Sequence, residues 1–467
     1  MNSLSKKLLR ALHRAALACS ILILASPPGP AQAQETTPAP PVYIAQAGDT
    51  LSSIALQFGV PLSELVAFNN LSDANQLFIG DRIAIPGLEG ITGILTTITV
   101  PLGESMRSLQ RQYRIPTEIF QRLNHVVSPG ELYKGAPLVI PVHEGAAAIG
   151  RVSLQRGESL LELAVRHNAN PWAIAEQNHL NHPASAAAPD ILFLEGQGTP
   201  GPGGLPPAIE EIQINLLFQG EAALIHLRSS GELSVTGSLG DYVFPFHRQD
   251  GEYFALQGLH ALLDPGLYPL ELTATDPEGQ VYAFSQLVKV NAQDYIFEYI
   301  AVDPVFLDPA TTEAEFDTIQ PYLLQSSETR YWDGKFTAPS PNGDCINSTY
   351  GNRRSFNGSA FTYYHSGVDF CGGEGTKIFA PAPGMVVYAG NLEIRGNFTI
   401  IDHGWGVLTA YMHQSEILVS VGDVVAPGDV IGLVGNTGRS TGAHLHWELW
   451  INGVAVNPLD WLASKFP

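Results

Sequence analysis

Positive charge is what this 467-residue chain has least of: 24 Lys and Arg stand against 45 Asp and Glu, and charged residues of all kinds make up only 15%. A net charge of −21 makes it a poor partner for nucleic acid or for an anionic membrane surface. The apolar run over residues 15–25 is short for a membrane span. Lys6, Lys7, Arg10 and Arg14 precede that run and Ala31-Gln32-Ala33 follows it, which is the layout of a secretory signal peptide over residues 1–33. Its removal leaves 20 Lys and Arg against 45 Asp and Glu, and no membrane span is expected in what remains. Cysteine is scarce, with three in the chain. Cys19 lies in the expected signal segment, whose apolar stretch runs on past it. Cys345 and Cys371 remain, and in an oxidising compartment they can form a disulfide, the alternative being two buried thiols. Glycine (46) and proline (34) are plentiful, which favours short strands and loops over long helices. The length calls for several domains.

Internal repetition organises the first part. Gly48-Asp49-Thr50-Leu51 recurs as Gly103-Glu104-Ser105-Met106 and as Gly157-Glu158-Ser159-Leu160, at offsets of 55 and 54 residues. Asn69 matches Asn124, with Asn178 in the third copy, and Ile85-Pro86 matches Ile140-Pro141. Each copy reads as strand, two short helices, strand. The Ser or Thr caps free amides at the start of the first helix, and Leu51, Ile54, Ala55 and Phe58 follow helical spacing. Residues 42–87 resemble a LysM module, which implies binding to N-acetylglucosamine-containing glycans such as peptidoglycan. The resemblance carries the sugar onto Gly48, Asp49 and Thr50 and onto Leu77, Phe78 and Ile79. The copies at 97–142 and 150–195 resemble degenerate relatives, and the third is expected to serve as a spacer.

Residues 196–207 are too rich in Gly and Pro for regular structure. Over residues 208–292 Leu270, Leu272 and Ala274 alternate with Glu271, Thr273 and Thr275, and Asp276-Pro277-Glu278-Gly279 turns into a second alternating run. An immunoglobulin-like β-sandwich is expected, without a catalytic constellation, and His226, His247 and His260 read as packed or surface residues. Residues 293–334 read as a connector with a short helix over 309–325, and the final domain, 335–467, is a succession of short β signals.

That domain carries the chemistry. His365 and Asp369 form a His-x-x-x-Asp pair, answered by His444 and His446 in His-x-His. On a strand, residues two apart share a face. Zinc suits two imidazole nitrogens and one carboxylate oxygen, with the fourth place left for water. One imidazole is then free to handle protons. The motifs YYHSGVDF, IIDHGWGVLTAYMH, VGDVVAPGDVIGLVGNTGRSTGAHLHWEL and VNPLDWL resemble the lysostaphin-type, LytM-like zinc endopeptidases, whose relatives cut peptide cross-links in bacterial cell walls. The resemblance implies a Zn2+ ion on His365, Asp369 and His446, with His413 and His444 as the catalytic pair. His403 reads as structural. The stretch VGDVVAPGDVIGLVG is also similar to biotinyl and lipoyl carriers, but no lysine stands at the hairpin tip.

The whole is read as a multidomain chain of three α+β (βααβ) LysM-like modules, a β-sandwich and an all-β metallopeptidase domain. The expected protein is secreted and associated with the cell wall, where it hydrolyses peptidoglycan. A non-enzymatic regulator of other wall hydrolases is the alternative, since relatives that lost zinc ligands act so; here both ligand pairs are present.

Overall fold

The computed structural model describes residues 40–467 apart from 74, 89–90, 127, 144–148, 155–156, 188–189 and 199–200. The expected signal peptide lies outside the described residues. Among these residues no single helix is long and apolar enough to cross a membrane. The chain divides into a compact unit ending at Gly93 and another from Ile94 to Pro467.

In the first unit, strand Val42–Ile44 pairs antiparallel with Arg82–Ala84, and helices Leu51–Gln57 and Leu62–Phe68 lie between them in sequence. Thr50 and Ser53 form a reciprocal capping box, each hydroxyl accepting from the other's backbone N–H. Gly48 sits at φ +91°, where a side chain would be strained. Asn69 clamps the second helix to the closing strand: its amide donates to the Ala84 carbonyl at 2.8 Å and accepts from the Ala84 N–H at 2.7 Å.

The same clamp recurs twice in the larger unit, from Asn124 to Val139 and from Asn178 to Phe193. The third repeat therefore folds like the others. Its strands are Ile149–Ser153 and Ile191–Glu195, and its helices Leu160–Arg166 and Pro171–Gln177. Arg111 of the second repeat joins the two by bonding Asp190 at 2.8 Å and the Asn178 carbonyl at 3.2 Å.

The segment after the repeats is irregular but packed, with Leu205 buried. Gly203 donates its N–H to Glu104, which also accepts from Ser108. Burial pushes the Glu104 carboxyl up to about 7, against the partial opposition of these bonds. Because the folded value lies above the unfolded one, this carboxyl favours folding most below pH ~4.5, and the contribution is lost as pH rises through about 7. That loss is on the order of 3 kcal/mol. Thermal unfolding followed from pH 5 to 8 should therefore fall more steeply for the native chain than for Glu104→Gln; parallel curves would contradict this.

The alternating strands of residues 209–291 form two antiparallel-rich sheets of five and four strands that share one core, including Ile225, Leu227, Leu270 and Leu272. This sandwich is no free spacer. Ala222, Leu256 and Ala261 join the core of the C-terminal domain, His247 stacks on Trp405, and Asn452 donates to the Leu256 carbonyl at 2.7 Å.

The C-terminal domain is built on an eight-stranded antiparallel sheet in which Val368–Cys371, His444–Ile451 and Val407–Gln414 are consecutive neighbours. Trp447, Tyr411, Phe370 and Phe398 fill its interior. The segment expected as a connector is built into this domain. Its helix runs Pro309–Leu323, buries Ile319 and Leu323, and its Glu315 bonds Arg395 at 2.9 Å. Strand Phe297–Ile300 pairs in parallel with Arg353–Phe356.

Candidate metal centre and catalytic histidines

Antiparallel register explains how distant residues meet. Asp369 stands directly opposite His446, and Cys371 opposite His444, so both motif pairs face one point. His365 lies just ahead of its strand and is almost wholly buried. The three expected ligand atoms converge: His365 Nε2 to Asp369 Oδ1 is 3.0 Å, His365 Nε2 to His446 Nδ1 is 3.0 Å, and His446 Nδ1 to Asp369 Oδ1 is 2.8 Å. Among the described residues this is the one group of His, Cys, Asp and Glu close enough to hold a metal ion.

What each imidazole does with its far nitrogen matters as much. His365 Nδ1 donates to the Thr349 carbonyl at 2.9 Å, and His446 Nε2 to Glu448 Oε1 at 3.1 Å. When each ring is neutral, those bonds leave the lone pair on its near nitrogen, which is the tautomer a metal needs. The donor set therefore fits zinc. Burial pushes the His365 imidazole down to about 4, so it is neutral at physiological pH. Burial would lower His446 too, but its bonds to Asp369 and Glu448 prevail and push it up to about 9, so without a metal it is protonated at neutral pH, and Nδ1 must give up its proton to become a ligand. Burial acts to raise Asp369, yet the histidines beside it hold its carboxyl well below the usual range.

His413 and His444 stand beside this cluster, their ring centres 5.2 Å apart. His413 Nδ1 donates to the Thr437 carbonyl and His444 Nδ1 to the Gly442 carbonyl, both at 2.7 Å. Each is thereby left with Nε2 as its free nitrogen, and that of His444 lies 3.5 Å from Asp369 Oδ1. His413 has φ +61°, a strained conformation for a non-glycine residue, at the irregular end of its strand. Burial first, then the neighbouring histidines, push its imidazole down to about 3. His403, in contrast, is fully buried between the Pro383 carbonyl and Thr409 Oγ1, each at 2.8 Å. It packs and does not face the site.

Sequence reasoning overlooked the residues behind these. Glu448 is buried, bonded by Ser366 and by Trp450 Nε1. It continues the strand alternation from His444 and His446, so the period-two pattern would have found it. Arg354, whose guanidinium lies 3.4 Å from Asp369 Oδ2, leaves no local signal.

Cys345 and Cys371 are joined in a disulfide. The closed loop, with a separation of 26 residues, contains both His365 and Asp369. Opening it releases chain entropy worth ~3 kcal/mol in the loop-closure account. Cys345→Ser with Cys371→Ser should thus lower the unfolding midpoint measured by calorimetry by several degrees; an unchanged midpoint would contradict this.

The glycan positions differ between the first two repeats. In the first, nothing lies within 4 Å of where a Gly48 Cβ would stand, and Phe78 and Ile79 are 68% and 75% exposed. At the matching positions of the second, Gly103 packs against Pro202 and Leu205 and bonds Gln286 of the sandwich at 2.7 Å. Lys134, which matches Ile79, donates its N–H to the Leu287 carbonyl and its Nζ to the Ile214 carbonyl. The second repeat has turned the face in question onto the sandwich.

Residues 363–458 match Peptidase family M23, and residues 43–86 and 98–141 match the LysM domain. Peptidoglycan DD-endopeptidase ShyA of Vibrio cholerae is 45% identical over 95 residues, 20% of this chain and 22% of that protein. Murein hydrolase activator NlpD of Escherichia coli is 41% identical over 102 residues, 22% of this chain and 27% of that protein. The chain thus spans about a quarter of the length of these curated relatives. The solved catalytic domain of lysostaphin from Staphylococcus simulans is 32% identical, covering 28% of this chain and 93% of that one, with a TM-score of 0.21.

Proposed function

We propose that this chain, which carries a peptidase family M23 domain behind two LysM domains, is a secreted zinc metalloendopeptidase that cuts peptide cross-links of peptidoglycan at the cell wall. One observation carries the reading: three donor atoms within 3.0 Å of one another, with two further histidines beside them, every imidazole having its far nitrogen tied to an oxygen.

His365, Asp369 and His446 are the proposed zinc ligands. Bound there, zinc supplies Lewis acidity, making water acidic near neutral pH and drawing charge from a carbonyl. His413 and His444 do the proton work. Their Nδ1–H groups are committed to backbone carbonyls, so only Nε2 can accept a proton from the attacking water. One of them takes that proton and passes it to the leaving amine. The other, once protonated at Nε2, donates to the oxygen that gains negative charge.

Anchoring is assigned to the first LysM domain through Gly48, Asp49, Thr50, Leu77, Phe78 and Ile79. The third repeat reads as a LysM-like module kept for its fold, which the Asn178 clamp supports. The disulfide suits an oxidising location outside the cytoplasm.

NlpD and ShyA are similar to this chain over comparable lengths, 102 and 95 residues, so likeness alone does not choose between an enzyme and a regulator. The intact ligand set favours the enzyme. The test is conversion of a soluble cross-linked muropeptide dimer to monomers, abolished by a chelator and restored by zinc. A zinc-loaded chain that leaves the dimer intact would turn the reading to the regulator.

A further inference from the structure

Glu298 comes from a strand that no site motif contains and that lies outside the residues matching the peptidase family, 363–458. Parallel pairing sets it opposite Arg354. Its carboxylate grips three side chains at once. Oε1 accepts from Asn352 Nδ2 at 2.7 Å and from Ser348 Oγ at 3.0 Å, and Oε2 accepts from Arg354 Nε at 3.2 Å. Each of those three residues reaches a proposed ligand. Arg354 Nη2 donates to Asp369 Oδ2 at 3.4 Å, Ser348 Oγ lies 3.1 Å from His365 Nδ1, and the Asn352 carbonyl accepts from the His365 backbone N–H at 2.9 Å.

We infer that Glu298 is a positioning residue for the metal centre, orienting His365 and Asp369 through Ser348, Asn352 and Arg354. The inference rests on the zinc reading proposed above. Two physical effects carry it. Ser348 has one hydroxyl proton, and giving it to Glu298 leaves the Ser348 oxygen as a second acceptor for His365 Nδ1–H, beside the Thr349 carbonyl. This favours the tautomer whose Nε2 lone pair faces the donor cluster. Arg354 meanwhile neutralises the outer oxygen of Asp369, so that Oδ1 alone faces the histidines. A guanidinium so near the cluster would repel any cation if it swung inward, and its ion pair with Glu298, both side chains largely buried, holds it at the outer oxygen.

The test is zinc affinity of the full chain, measured by competition with a chromophoric chelator at fixed pH, beside the unfolding midpoint of the metal-free chain. Glu298→Ala should weaken zinc binding ~10-fold or more, in the range found for outer-sphere partners of metal ligands. Glu298→Gln, which keeps the shape and loses the charge, should fall between the two. Both metal-free variants should keep a midpoint close to that of the native chain. If Glu298→Ala does not fold, Glu298→Gln carries the test. Affinities within twofold of the native chain would overturn the inference while leaving the zinc site standing. A native chain that binds no zinc would overturn the metal reading and this inference with it.

Discussion

His444→Ala should keep its zinc and lose ~10²–10⁴-fold in turnover, whereas His446→Ala should lose the metal itself. The two residues are neighbours on one face of one strand, yet their surroundings differ. His446 is wedged between Asp369 and Glu448, at 2.8 and 3.1 Å, and its Nδ1 is one of the three converging donors. His444 is tied only through Nδ1, and its Nε2 stands 3.5 Å from Asp369, beside the cluster rather than in it. His413→Ala should behave like His444→Ala. Metal content by atomic absorption, read beside hydrolysis of a soluble muropeptide dimer, separates the classes. Zinc loss in His444→Ala with zinc retained in His446→Ala would mean that the two roles are reversed.

Replacing Phe78 and Ile79 of the first LysM domain by Ala should release the full chain from insoluble peptidoglycan ~10–100-fold, with turnover of soluble dimer unchanged. Both side chains are largely exposed, and loss of their contacts with a sugar is worth ~1–1.5 kcal/mol each. The fall should reach the level of a chain lacking residues 42–93. The second repeat is not expected to add an anchor, because its matching loops are occupied by Gln286, Leu287 and the Pro202–Leu205 turn. Anchoring by one module raises local enzyme concentration at the wall without altering the bond cut. Co-sedimentation with purified peptidoglycan measures it. Retention equal to that of the native chain would place the anchor elsewhere.

The repeats and the converging His and Asp pairs were legible because their signals are local. A capping residue three positions before its partner, an asparagine at the same place in each copy and two histidines two apart on a strand are all short-range patterns. The helix of the connector was legible for the same reason. What the sequence did not disclose depends on pairing between distant segments. Glu298 meets Arg354 across 56 residues, and no periodicity near either residue announces a parallel pairing. Lys134 and Gln286 reveal their roles only once the second repeat is docked on the sandwich. Composition announced the irregular backbone of the Gly- and Pro-rich stretch but not its packing: its small residues allow close approach, and Gly203 lies where a Cβ would strike the Phe193 ring.

The central claim is that His365, Asp369 and His446 make this chain a metal-dependent peptidase acting on the bacterial wall. The most direct measurement is incubation of the purified chain with intact peptidoglycan, with and without a chelator, following newly freed amines and peptide fragments by mass spectrometry. The account predicts peptide fragments with new amino termini that vanish with chelator and return with zinc. Cleavage that persists in the metal-free chain, or a zinc-loaded chain that frees no amine, would contradict it.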